Sequence, residues 1–530
     1  MDINIGSLLT KRAFLSPSAD GFVDAETGDR CSFRELNERC NRTANALLRL
    51  GVRAGDRVGL LLMNGLEFTE SFFAVAKIGA IVVPLNWRLV ADELEFILKD
   101  SGVTLLLFDG GFQSLVTDLH GRGARIDVRT WVRVDLRETP PDALGHDPVG
   151  HDPLGHTAIG HSYALVQQQE AADEPALRAR DDDLLYIMYT SGTTGMPKGA
   201  VHTHNTCLWA LLTMNVVTDL RTGDRYLHLL PMFHVGALTP VTYCVYRGAT
   251  SVIARSFDAA GTWRVIERER VTVMLAVPAM LNFMWQVPGR DDFDRSSLRW
   301  VLSGAAPVPV SLIKQYAEAH IEIQQIYGLT ETCGPACVID GENAIKRAGS
   351  TGKAFFHTDV RVVNEAGQDC QPDEPGEVLV RGRHLMKEYW QRPEATAEAI
   401  RGGWLYTGDV ATVDADGFVY IMDRTKDMVI SGGENIYPAE LENAILQHPK
   451  VREVAVIGQP SERWGESPFA VVVRKDNTLT EQELLQWCDG KMARFKLPRG
   501  AAFVDVIPRN PSGKVLKRVL RQTFPGPAPQ

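Results

Sequence analysis

Five short stretches of this chain carry residue types that chemistry uses. The first, YTSGTTGMPKGA, spans residues 189–200. Thr190, Ser191, Thr193 and Thr194 supply hydroxyls, Gly192 and Gly195 let backbone N–H groups converge, and Lys198 adds a positive charge, a set suited to holding phosphate. A P-loop has the order G-x-x-x-x-G-K-[ST], with lysine directly after glycine and a metal-binding hydroxyl directly after lysine. Here Pro197 precedes Lys198 and Gly199 follows it, so this is a phosphate loop of another kind. The other four stretches are IYGLTET (326–332), YTGD (406–409), DRTKDMVISGGENIYPAELE (423–440) and PRNPSGKVLKRVLR (508–521). Each alone is weak. A lone YTGD reads as a turn capped by its aspartate, and a lone PSGK as a loop with a solvated lysine.

These stretches need a scaffold, and the pattern around them supplies one. DRVGLLLMN, IVVPLN and TLLLFD read as buried strands, alternating with the helical stretches EFTESFFAVAKIGA and ADELEFILKDSG. Such alternation implies a parallel sheet with helices on its faces. It resumes after residue 180 with LLYIMYT, ATSVIA, VTVMLAVP and LRWVLSG. From about residue 349 strands broken by Asn/Asp/Gly turns predict a small β-rich subdomain. After DRTKD the chain returns to mixed α/β for roughly 100 residues, enough for a small domain. The 530 residues, 45% hydrophobic and 23% charged, exceed one core and predict at least two domains.

The net charge of −10 opposes a general nucleic-acid binder, so any anion must be held by local groups. Eight scattered cysteines without a C-x-x-C pair read as reduced structural thiols. No basic n-region followed by a long apolar core opens the chain, and no apolar run reaches the roughly 18 residues of a membrane span. Cytoplasm is the expected compartment. His146, His151, His156 and His161 recur every five residues in LGHDPVGHDPLGHTAIGH. Gly and Pro at each step oppose a rigid metal cage, which favours a solvated loop.

Taken together, the order and spacing of the five stretches resemble the adenylate-forming superfamily: acyl- and aryl-CoA synthetases, luciferases and peptide-synthetase adenylation domains. The resemblance covers nearly the whole chain. It implies an α/β multidomain fold, with a large N-terminal domain of stacked α/β subdomains plus a small β-barrel (1–422), a hinge (423–426) and a small mobile α+β C-terminal domain (427–530). It implies ATP and CoA as co-substrates and Mg²⁺ as the metal. A carboxylate attacks the α-phosphorus of ATP to give an acyl-adenylate and pyrophosphate, and a thiol then displaces AMP. The first step sets an anion against a polyanion, so cations and dipoles must sit at the phosphates.

The resemblance also implies roles by position. Residues Thr190 to Gly195 with Lys198 close over the leaving pyrophosphate. Tyr327 and Gly328 face adenine, with Ser303, Gly304, Ala305, Ala306 and Pro307 as the opposite wall. Thr330 and Thr332 lie near the α-phosphate. Glu331 is the magnesium ligand with Thr190 assisting, a single carboxylate of the kind Mg²⁺ accepts. Asp409 takes the ribose hydroxyls, and Arg424 approaches ribose or phosphate. Lys514 reaches the reacting carboxylate and the α-phosphate. Lys426 is the hinge about which the C-terminal domain rotates, and Ser431, Gly432, Gly433, Glu434 and Asn435 line the pantetheine path. Nine basic residues against one acid, Asp505, between Lys491 and Arg521 suit either CoA phosphates or a solvated basic face.

An amino-acid-activating relative needs an aspartate in the stretch that here reads LLPMFHVGAL (229–238), and this chain has none there. His234 matches an aromatic gate. Val235, Gly236 and Ala237, with Gly304, Ala305 and Ala306, are small and leave depth in the expected acyl pocket, and Ala279 and Phe283 of VPAMLNFMWQVP (277–288) add apolar lining. The expected activity is an AMP-forming acid–thiol ligase for a medium- to long-chain fatty acid, most similar to bacterial long-chain ligases of the short mycobacterial-like kind. An aryl-CoA ligase of feruloyl, cinnamoyl or benzoyl type is the alternative. A luciferase-like oxygenase has no positive support, and a non-catalytic carboxylate-binding protein is expected to lack Lys514 or Glu331. Expected partners are the carboxylic acid, ATP and CoA, as a monomer or homodimer, with peripheral contact at the inner membrane face compatible with the resemblance.

Overall fold

The computed structural model describes residues 3–134, 159–176, 179–190, 197–306, 308–424, 427–431, 434–461, 464–489, 491, 496–509 and 515–526. Among them, strands form four sheets. A nine-stranded sheet has a parallel centre made of Asp20–Asp24, Thr250–Ile253, Arg225–His228, Val273–Leu275, Trp300–Ser303 and Glu322–Tyr327. An eight-stranded sheet holds Ile81–Pro84, Arg57–Leu61, Val103–Asp109 and Thr130–Val134 in parallel, with the Leu184–Thr190/Lys198–Thr203 hairpin on one flank. The β-rich segment is a five-stranded antiparallel sheet from Thr358–Val363 to Val419–Arg424. The last sheet, also five-stranded, runs from Val429–Ser431 to Ala501–Phe503.

Strand alternation explains how the two large sheets stack. Val58, Leu60, Leu105 and Leu107 of one sheet share a core with Tyr226, Val273, Leu275 and Leu302 of the other. The residues between them face outward into separate cores: Leu61, Leu106 and Phe108 on one side, Leu227, Met274 and Val301 on the other. Sheets buried on both faces need apolar runs rather than alternating ones, which is why these strands read as continuous Val/Ile/Leu segments. The Phe33–Arg49, Leu66–Lys77 and Val235–Arg247 helices contribute to the shared core. Within it the fully buried Lys77 ammonium is held by Asn37 and Asn41 at 2.7 and 2.6 Å and by Glu174 at 2.9 Å. A buried cation survives only with such partners.

Asp20–Asp24 and Arg30–Ser32 join the sheet built from residues 225–354, not the one formed by the strands that follow them. Cys40, Cys207, Cys244, Cys333, Cys337 and Cys488 are buried, and every described cysteine is a free thiol, as expected.

Three buried histidines make a pH prediction. His204, His228 and His384 are 0%, 2% and 1% exposed. Burial holds their imidazoles down at about 4, about 3 and about 4, below the ordinary 6.5. Between those values and 6.5 the unfolded chain binds more protons than the folded one, so stability rises with pH. The contribution is complete above about pH 6.5 and is lost as pH falls toward 4. It approaches about 4 kcal/mol per pH unit near pH 5 when all three titrate together. Urea midpoints at pH 7, 6 and 5 should drop progressively, and a His228→Gln variant should show a shallower slope.

Candidate active site

The motif residues gather where four adjacent parallel strands end. Ser303 closes the Trp300–Ser303 strand and Tyr327 closes its neighbour. The loop after Arg225–His228 leads to His234, and the turn after Val273–Leu275 leads into the Pro278–Trp285 helix that carries Ala279 and Phe283. Carboxyl ends of parallel strands are where open α/β sheets place ligands. At Gly304 a Cβ would stand 2.6 Å from the Ile326 carbonyl oxygen, so only glycine lets these two strand ends lie so close. Ala305 follows with φ of 68°, and Ala305 and Ala306 are exposed, leaving an open, thin surface there.

Tyr327 and Asp409 are bonded to each other. The phenol donates to Asp409 Oδ2 at 2.7 Å, and the two residues are 8% and 5% exposed. Burial and the adjacent carboxylate push the phenol well above its ordinary 10, so it remains a donor. The bond links the nine-stranded sheet to the Trp404–Val413 strand of the antiparallel sheet. Asp409 also faces Arg424 in register across that sheet.

A second cluster surrounds Glu331. Residues Thr330–Thr332 form one turn of 3-10 helix, closed by Cys333 at φ of 55°. His202 Nε2 donates to the Thr330 carbonyl at 2.8 Å, and the Met386 N–H donates to the Glu331 carbonyl at 2.7 Å. The Tyr389 hydroxyl donates to Glu331 Oε1 at 2.7 Å, and Lys198 Nζ lies 5.3 Å from the Tyr389 ring centre. Lys198 pairs in register with Thr190, so the flanks of the phosphate loop and the Glu331 carboxylate share one neighbourhood. Glu331 and Thr190 are half-buried, and among the described residues no cation pairs with Glu331. The Thr190 hydroxyl donates to the Lys198 carbonyl at 3.4 Å, and the half-buried Glu331 carboxylate fits Mg²⁺, which keeps waters and phosphate oxygens as its other ligands.

The Thr332 side chain is used within the turn itself. It is fully buried, and its hydroxyl accepts from the Leu329 N–H at 2.9 Å and lies 3.2 Å from the Gly334 carbonyl. Its hydroxyl is committed to the turn, whereas Thr330 is half-buried.

His234 caps the Val235–Arg247 helix, with its ring 4.5 Å from that of Phe233. Its Nε2 is buried and has no hydrogen-bond partner among the described residues. Burial, with the Arg88 charge nearby, holds the imidazole at about 4, so it is neutral at ordinary pH. Val235 and Ala279 pack on the same core, Ala237 is buried in it, and Gly236 and Phe283 are half-buried. These residues form an uncharged, apolar approach to the strand ends.

Four of the nine basic residues between Lys491 and Arg521 pair with carboxylates from elsewhere in the chain. Lys496 pairs with Glu440 at 2.7 Å, Arg509 with Glu453 at 2.9 Å, Lys517 with Glu442 at 3.0 Å and Arg521 with Asp427 at 3.1 Å. Lys491 covers the Trp487 ring at 3.0 Å. Arg499 and Arg518 are exposed. The sequence counts charges along the chain but not the carboxylates that fold against them. Ser431 ends the Val429–Ser431 strand and pairs in register with Glu434, the start of Glu434–Ile436. Ser191, Gly192, Thr193, Thr194, Gly195, Pro307, Lys426, Gly432, Gly433, Lys514, His146, His151 and His156 lie outside the described residues. His161 is an exposed strand residue, and no group of three metal-binding side chains occurs among the described residues.

The chain belongs to the AMP-binding enzymes: residues 9–390 match the AMP-binding enzyme family and residues 440–514 its C-terminal domain. Among characterised relatives, the chain is 43% identical to the long-chain-fatty-acid–CoA ligase FadD13 of Mycobacterium tuberculosis, covering 99% of this chain and 100% of that one. It is 39% identical to a feruloyl-CoA synthase of Amycolatopsis, covering 98% and 99%. The solved o-succinylbenzoate CoA synthetase of Bacillus subtilis, in complex with its acyl-adenylate intermediate, superposes with a TM-score of 0.82 at 31% identity, covering 97% and 98%.

Proposed function

We propose that this protein is an ATP-dependent acyl-CoA synthetase. It converts a medium- to long-chain fatty acid to the acyl-adenylate with release of pyrophosphate, then transfers the acyl group to CoA with release of AMP. The observation that supports this reading is that the Tyr327–Asp409 pair and the Lys198–Tyr389–Glu331 cluster stand at either end of the short turn from Tyr327 to Glu331. Asp409, oriented by the Tyr327 hydroxyl, takes the ribose hydroxyls. Lys198 and the loop beside it bind the leaving pyrophosphate. Glu331 and Thr190 would hold Mg²⁺, which supplies positive charge against the phosphate oxygens. Neutral His234 stands at the mouth of the acyl pocket. Lys514 lies on the 427–530 segment, which acts as a small domain turning about 423–426 between the two steps.

The fatty acid is favoured by the apolar, uncharged approach past His234 and by the likeness to the long-chain ligase. The likeness to the feruloyl-CoA synthase supports an aryl acid as the second reading. CoA-dependent AMP formation, assayed across fatty acids of about C4 to C24 and cinnamic and benzoic acids, separates them. Highest kcat/KM for a benzoic or cinnamic acid would overturn the main reading.

Gly236 sits in the first helical turn after His234, and a Cβ there would meet only the tip of Leu230, at 3.2 Å. Gly236→Trp should therefore be accommodated by the fold while filling the pocket. The preferred chain should shorten by several carbons, with KM for ATP within about twofold of wild type, since each lost methylene contact is worth about 0.8 kcal/mol. A folded variant with unchanged chain-length preference would remove this wall from the pocket.

A further inference from the structure

Glu331 has a well-fixed backbone and a long side chain. The turn is pinned by His202 on the Thr330 carbonyl, by Met386 on the Glu331 carbonyl and by the Thr332 hydroxyl. None of these contacts sets the direction of the Glu331 carboxylate. One contact does: the Tyr389 hydroxyl on Oε1, at 2.7 Å.

Tyr389 is itself firmly placed. It lies in the two-residue strand Glu388–Tyr389, antiparallel to Lys198–Thr203, with Tyr389 opposite Ala200 and Glu388 opposite Val201. Its N–H donates to Thr396 Oγ1 at 2.9 Å, and its ring packs on Ala200, Met386 and Leu405. The same ring faces Lys198 Nζ at 5.3 Å, a cation–π distance. One side chain thus touches both a charge on the flank of the phosphate loop and the one carboxylate in the adjacent turn.

We infer that Tyr389 is a positioning residue for the metal site. By occupying Oε1 with a donor, it fixes the carboxylate rotamer and leaves Oε2 for the cation. By presenting its ring to Lys198, it holds the loop flank in register with that carboxylate. This rests on the reading of Glu331 as the magnesium ligand. Carboxylate ligands are commonly oriented by a hydrogen bond from outside the coordination sphere, and losing such a partner typically costs 10- to 100-fold, so about 10-fold is expected here.

The test uses the full chain with Mn²⁺ as the probe and α,β-methylene-ATP as a nucleotide that cannot give up its adenylyl group, bound metal being read from the loss of the free Mn²⁺ electron paramagnetic resonance signal. Tyr389→Phe keeps the ring and removes the hydroxyl. It should weaken Mn²⁺ binding in the ternary complex about 10-fold and raise the magnesium needed for half-maximal adenylation by a similar factor, with the maximal rate recovered at high magnesium. Glu331→Gln should weaken binding more, and the double variant should be no worse than Glu331→Gln alone, since the hydroxyl acts through that carboxylate. Thermal melting should be unchanged in Tyr389→Phe, which separates positioning from a structural role. If Glu331→Gln leaves Mn²⁺ binding intact, both the metal reading and this inference fail. If Glu331→Gln weakens binding while Tyr389→Phe binds Mn²⁺ like wild type, or the two losses simply multiply in the double variant, the metal reading stands and the inference fails.

Discussion

Lys514→Ala should slow acyl-adenylate formation by about 10² to 10³ and leave thioester formation from pre-made acyl-AMP and CoA nearly untouched. Adenylation builds charge as a carboxylate meets the α-phosphate, and a lysine placed there is worth on the order of 3–4 kcal/mol in the transition state. The second step has no such encounter, because thiolate attacks a neutral acyl carbon. If residues 427–530 turn about 423–426 between the steps, the lysine serves one face and the glycines at 432–433 the other. Gly433→Leu should then do the reverse, impeding the thioester step alone. Lys426→Pro, which restricts the hinge torsions, should also spare adenylation more than thioester formation. Single-turnover kinetics of each half-reaction decide the matter. A Lys514→Ala enzyme slowed equally in both would show that one static arrangement performs both steps, or that another residue meets the phosphate.

Gly328→Ala is the second large effect. Gly328 joins Tyr327 to the Glu331 turn, and a Cβ at that position would lie 1.5 Å from the Gly334 carbonyl oxygen. Both partners are backbone, so no side chain can swing aside. The turn must open, and it carries the N–H of Ala336 on the Tyr327 carbonyl at 3.0 Å and the N–H of Gly334 on the Leu329 carbonyl at 3.2 Å. Opening moves Tyr327 and Glu331 relative to each other by an appreciable fraction of an ångström. Misplacement on that scale costs about 10²-fold in rate, so adenylation should fall at least that far, with a lowered melting temperature. Gly367→Ala is the control. Gly367 has a positive φ, 74°, which Gly328 lacks, but a Cβ there meets nothing within 4 Å. It should cost about 1 kcal/mol of stability and no activity. Equal kinetics for Gly328→Ala and wild type would mean that the turn is not part of the site.

What could be read from the sequence divides along contact distance. The phosphate-loop flanks and the Tyr327 turn were legible because each motif is contiguous and sits at a strand end that apolar runs announce, and the YTGD aspartate because its motif is contiguous, although it lies inside the Trp404–Val413 strand. The strands themselves were legible because burial on both faces demands unbroken Val/Ile/Leu. Tyr389 was not. It lies 58 positions from Glu331 in a stretch, HLMKEYW, with no chemical signature, and its role exists only once Glu388–Tyr389 pairs with Lys198–Thr203. The carboxylate partners of four of the nine basic residues in Lys491–Arg521 were not legible for the same reason. Glu440, Glu442, Glu453 and Asp427 fold onto it from elsewhere. The Asp20–Asp24 strand shows the limit most plainly, since nothing in five residues says which of two sheets they will complete.

The Lys77 ammonium has a consequence beyond its own energetics. Through Glu174 it fastens residues 159–176 to the Phe33–Arg49 and Leu66–Lys77 helices. Tyr163 and Gln167 add bonds to buried Glu70, at 2.8 and 3.1 Å. On the other side of residues 135–158, Thr130–Val134 is built into the sheet, and Val132 lies directly beside His161. Both ends of the intervening chain are therefore moored independently of what lies between them. Closing a longer or shorter loop between fixed ends changes the free energy only with the logarithm of its length. The pairing of Val132 with His161 is parallel, so the connection must travel back the length of a strand and cannot shrink to a tight turn. An insertion between Val134 and Ile159 leaves both moorings in place, so a fluorophore tag or a tether to a surface joined there should leave the described sheets and the candidate site unchanged.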